Sequence, residues 1–201
     1  MRWSLFPAAA MAMALITSAG WAAAAPDAAA ALPSLIKPFL VPAKGLGTVG
    51  DWSTLEANKA VAWAPGPTMQ DKPSPDGNYF VRAGRGQAGG RPLDVLATGA
   101  RSGVFSVYIR DPGATANAAS TASEFRQAGY VVSLARCPIN PQAATAKRWL
   151  KLTAPGKHPA FLSVGPLASG GAGYVLFLAD AQLAPLTAKD AGVYTDSCAA
   201  L

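Results

Sequence analysis

The sequence predicts an α+β domain built on a mainly antiparallel sheet of about five to six short strands with one to three short helices; an all-β sandwich with minor helices is the alternative. Three observations predict it. Short runs rich in β-branched and aromatic residues recur through the second half of the chain. Gly-, Pro- and Ser-rich turns separate most of them, at spacings too short for the crossover helices of parallel βαβ units. Helix signals are few and brief.

The elements follow in chain order. Residues 25–50 are rich in Ala, Pro and Gly and read as a tether, with a short apolar segment at LIKPFLV. Ordered structure is expected from Asp51, with a helical turn over Thr54–Lys59 and Trp52 and Trp63 in the core. APGPTMQDKPSPDGN reads as loop, as does RAGRGQAGGRP. Strands are expected at 93–98 and 103–111, joined by a GARS turn. Thr121-Ala-Ser-Glu124 has the form of a capping box, and Gly129 stands where a helix would stop, which gives a helix over 122–128. Further strands are expected at 130–137, 147–154, 159–165 and 173–180, with SGGAG turning between the last two. PLTAKDAG suggests one helical turn before Cys198.

Residues 51–201 read as one domain, within which two segments invite comparison as related halves, 91–137 and 158–198. Pro92, Ser102 and Gly103 recur as Pro159, Ser169 and Gly170 at one offset. Each segment then runs through Thr-Ala-x-acid to a cysteine. Chance matching in a Gly-, Ala- and Pro-rich chain accounts for the same similarities.

The first 24 residues place Arg2 ahead of an apolar run from about Leu5 to Ile16, followed by small residues up to Ala25. That order predicts a secretory signal peptide cleaved near Ala24, and a periplasmic or secreted protein with no transmembrane span after cleavage. The apolar run is shorter than the ~20 residues a membrane span needs. Export also decides the meaning of the terminal Cys198-Ala-Ala-Leu201, which has the form of a prenylation box. Prenylation is cytosolic, so an exported chain does not meet it. Cys198 and the other cysteine, Cys137, are instead expected to form a disulfide. The closed loop of roughly 60 residues is worth ~4 kcal/mol in the chain-entropy account. Two cysteines and one histidine do not make a zinc site, and no metal or cofactor is expected.

The chain carries a net charge of +6, which becomes +5 without Arg2. That favours anionic surroundings. No dense Lys/Arg cluster with interleaved aromatics is present, so a nucleic-acid partner is not expected. Gly84-x-Gly86-x-x-Gly89 matches a dinucleotide fingerprint in form only, because Pro92 leads into a strand where the fingerprint needs a helix. Arg82, Arg85 and Arg91 around that loop are candidate anion contacts. His158, the single histidine, is the one residue that a Ser-His-Asp site would have to use, and no serine sits in G-x-S-x-G. Asp111 and Asp180 end their expected strands and are the candidate acid–base pair, although carboxylates at such positions usually cap turns. The sequence thus favours an exported bacterial envelope protein. Its expected role is a non-enzymatic binding or inhibitory module for an envelope protein or an anionic wall polymer. An envelope hydrolase using His158 or the Asp111/Asp180 pair is one alternative; a structural component of an envelope assembly is the other.

Overall fold

A computed structural model describes residues 32–37, 52–66, 68–70, 79–101, 103–142, 146–156, 159–177, 183 and 185–199. Its helices are α1 (Leu32–Ile36), α2 (Trp52–Ala57) and α3 (Ala118–Gln127). The strands are β1 (Val61–Trp63), β2 (Thr68–Gln70), β3 (Tyr79–Ala88), β4 (Arg91–Ala100), β5 (Gly103–Asp111), β6 (Val131–Pro138), β7 (Arg148–Thr153), β8 (Ala160–Pro166), β9 (Ala172–Phe177) and β10 (Tyr194–Thr195). All belong to one open sheet in the order β1-β3-β4-β5-β9-β8-β7-β6-β10, with β2 beside β1 on the same edge of β3. Every pairing is antiparallel. The fold is therefore mostly antiparallel sheet with a few short helices. The expected five to six short strands is an undercount, since the described residues hold ten and β3 and β4 each reach ten residues.

The main shortfall is β3, which the sequence reading takes for a glycine loop. Glycine weakens a strand because it brings no side chain to pack, but it also marks places where a neighbour approaches closely. Both halves of that rule operate here. A Cβ on Gly84 would lie 2.6 Å from Val61 Cγ1 and 2.8 Å from Trp63 Cε3. One on Gly86 would lie 2.9 Å from Leu35 Cδ1. The glycines thus form a shallow seat that receives β1 and α1. The turn itself is confined to Gly89 and Gly90, whose φ of 56° and 78° suit a two-residue hairpin.

Cross-strand partners share a face of the sheet, so the registers divide the side chains in two. Leu93, Val95, Ala97, Val107, Ile109, Leu150, Leu152, Leu162, Val164 and Leu176 face the helices and are buried. Phe125 of α3 and Leu35 and Ile36 of α1 complete this core. Residues 32–36, inside the stretch read as a tether, are thus a packed helix. On the opposite face Phe161 stacks on Phe177 at 5.8 Å, and Trp149 meets Tyr194 edge-on at 4.8 Å.

Helix α3 begins one turn earlier than its expected capping box. Asn117 is the cap, its side chain accepting from the Ser120 amide, and Thr121 donates its hydroxyl back to the Asn117 carbonyl. The expected stop at Gly129 is present. The Gly129 amide donates to the Arg126 carbonyl and the Tyr130 amide to the Phe125 carbonyl, with Gly129 at φ 89°. Tyr130 then packs its ring against Phe125 at 5.5 Å. This is a Schellman stop together with its usual apolar contact.

The hairpins β4–β5 and β8–β9 lie side by side through β5·β9. Cys137 and Cys198 are bonded, with Cα atoms 5.8 Å apart, and sit at the β6–β10 edge away from that junction. Among the described residues no helix is long and apolar enough to cross a membrane.

Candidate binding cleft

A cleft of roughly 310 Å³ opens at one end of the sheet, between the segment leading into α3, the β6–β7 connection and the β8–β9 turn. Ala114, Thr115 and Ala116 form one wall, Pro141 and Ala146 another, and Pro166 and Gly171 the third. Among the described residues of the lining, Arg148 is the charged one. It opens β7 in the inward register, two residues before Leu150, and pairs across the sheet with Val164. Its guanidinium has no hydrogen-bond or ion-pair partner among the described residues. The volume lies at the small end of ligand sites. A planar guanidinium among small neutral residues suits a carboxylate or phosphate group, which it can meet with two parallel hydrogen bonds.

Buried structure holds the walls in place. The Asp111 carboxylate, with 3% of its side chain exposed, accepts from Arg91 Nη2 at 2.9 Å, Arg91 Nε at 3.2 Å and the Gly113 amide at 3.1 Å. The Ala114 amide donates to the Asp111 carbonyl, which closes the turn that forms the first wall. Gly171, at φ 89°, lies against this turn; a Cβ there would be 2.5 Å from the Asp111 carbonyl oxygen and 2.6 Å from Pro112 Cα. The Asp111 hydrogen bond holds the Arg91 guanidinium even further above its ordinary pKa. Nearby Tyr174 is buried under α3, and that burial pushes its phenol pKa up, with the Asp111 charge acting in the same direction and a hydrogen bond with Thr121 opposing.

The residues singled out from the sequence do not converge. Arg82 is buried on β3, donating to the Glu56 carboxylate at 2.7 Å and the Ala64 carbonyl at 2.9 Å. Arg85 is exposed on the opposite face, in register with Asp94. Arg91 is committed to Asp111 at the far end of the β3–β4 hairpin. Three strand residues alternating in face and separated along the sheet do not form the anion-contacting loop that the sequence suggested. Asp111 is a turn-forming structural carboxylate with its acceptor sites taken by Arg91 and Gly113. His158 and Asp180 lie outside the described residues. Among the described residues no group of three or more His, Cys, Asp or Glu side chains could hold a metal ion.

The sequence signal for Arg148 lies in KRWLKLTA. Arg148 shares the alternation of Leu150 and Leu152, so a charged residue stands in an inward position. That mismatch is the signal a strand assignment alone ignores. No protein-family model, no curated protein and no solved structure matches the chain.

Proposed function

We propose that the protein is an exported, disulfide-bonded binding module of the bacterial envelope, and that it takes an anionic group of a wall polymer or partner protein in the Arg148 cleft. The observation that carries this reading is an arginine, without a partner among the described residues, in a concave site lined otherwise by small and neutral residues. Two properties of the sequence support it: the leader at residues 1–24 and the basic balance of the remaining chain. A binding role needs no more chemistry than this. Asp111, the acid–base candidate of the sequence, is held by Arg91 and Gly113.

The test is co-sedimentation of the full mature chain with purified peptidoglycan across a salt series. Arg148→Ala should weaken binding at least tenfold, while Arg148→Lys, which keeps the charge but loses the planar fork, should fall between. Binding that is unchanged in Arg148→Ala, with folding intact, overturns the assignment.

A further inference from the structure

Strand β6 is paired unevenly. Strand β7 accompanies it from Val131 to Arg136, whereas β10 meets it only at Cys137–Thr195 and Pro138–Tyr194. Among the described residues, Val131–Ala135 has no strand on its outer side. Of the exposed large hydrophobic residues of the described chain, Val131, at 70%, lies on this unpaired stretch. An unpaired edge with exposed apolar residues is a template for another strand.

The direction of the chain supplies a candidate for that strand. Strand β10 runs antiparallel to β6, so the residues after Thr195 head along β6 toward Val131. The register persists for one residue beyond β10, because Asp196 binds Arg136 through Nε at 2.6 Å and Nη2 at 3.1 Å. After that the chain turns back. The Ser197 amide donates to Thr195 Oγ1, and Cys198 is bonded to Cys137. Cys137 is the residue directly opposite Thr195. An extended chain advances ~3.3 Å per residue, which would carry Cys198 about 10 Å past Thr195, alongside Leu134. A Cα separation of 5.8 Å from Cys137 therefore requires the reversal.

We propose that the Cys137–Cys198 bond is a latch that holds the carboxyl-terminal segment off the β6 edge, and that breaking it lets Asp196–Ala199 extend β10 along Arg136–Ser133. The opening step needs an external dithiol. Its two thiols give two electrons and two protons to the protein disulfide, which becomes two thiols as the dithiol closes to its own disulfide. The occupant is the chain's own segment because it continues an existing pairing in register.

Amide hydrogen exchange over Ser133–Arg136 tests the proposal on the full mature chain. Wild type in dithiothreitol, and a Cys198→Ser variant, should exchange there at least tenfold more slowly than the oxidised protein, even though exchange at the core residue Ile109 quickens with the lost disulfide stabilisation. Removing residues 196–201 from the Cys198→Ser variant should restore fast exchange. Exchange that stays the same or quickens on opening the bond shows a frayed terminus and overturns the latch. Slowing that depends on protein concentration, or survives the truncation, assigns the edge to a second copy and equally overturns it.

Discussion

The ion pair between Arg91 and Asp111 predicts unequal costs for removing its two members. The carboxylate is buried at 3% exposure while the guanidinium is 47% exposed. In Asp111→Ala the abandoned cation can regain water. The losses are then the charge-assisted hydrogen bonds and the bond to the Gly113 amide, together ~2–3 kcal/mol. In Arg91→Ala the abandoned group is a carboxylate that water barely reaches, with one remaining amide donor. Breaking a buried pair in that sense costs ~3–5 kcal/mol at neutral pH. Urea unfolding of the protein at pH 7, followed by tryptophan fluorescence, reads both costs. At ~2–4 °C per kcal/mol for a chain of this size, Asp111→Ala should melt roughly 5–10 °C below wild type. The reasoning is refuted if Asp111→Ala costs more than Arg91→Ala at pH 7, or if both lie within 0.5 kcal/mol of wild type, a margin of about the size of ordinary surface substitutions.

Gly86→Val should destabilise the protein by ~1–3 kcal/mol in denaturant unfolding despite valine's strand preference, because Leu35 Cδ1 occupies the space its Cβ needs; Gly90→Asn, at a turn position asparagine tolerates, should be near neutral. Losing the disulfide through Cys198→Ser should cost ~2–5 kcal/mol, read as a drop in melting temperature against the oxidised chain. Tyr174, whose phenol pKa is raised chiefly by burial, contributes stability that is complete below pH ~10 and is lost as pH rises through its folded value; Tyr174→Phe should flatten that alkaline loss in far-UV circular dichroism.

What was legible in the sequence follows the range of the forces involved. The six expected strands coincide with β4 through β9 to within about three residues because alternation and turn residues are local properties. The stop at Gly129 was legible for the same reason. Strand β3 was not, since its glycines answer to Leu35, Val61 and Trp63, residues distant in sequence whose positions no local pattern reveals. The start of α3 was misplaced because two polar residues four apart, Asn117 and Thr121, offer similar local caps, and only the packed helix shows which one is used. The disulfide was legible from the count of two cysteines and the export expected from the leader, but its place at a sheet edge was not. The candidate cleft is assembled from three connections around one arginine, so its parts appear in the sequence as unrelated loop residues.

The adjacency of β5 and β9 has a kinetic consequence. These two strands meet at the centre of the sheet, yet about sixty residues separate them, and α3 with β6, β7 and β8 lies between. A chain emerging from its amino terminus can form the β3–β4–β5 meander early, because each of those turns is short. The outer side of β5 then waits, unpaired, until nearly the whole remaining chain is present. Closing so long a loop is slow, and mainly non-local sheets accordingly fold in milliseconds to seconds. During that interval Val107, Ile109 and their neighbours present apolar side chains and unpaired backbone groups to whatever else is nearby, which is the state most exposed to aggregation. The seam between β5 and β9 is thus the step at which the two parts of the chain commit to one another, and slow folding with a strong dependence on protein concentration is its expected signature.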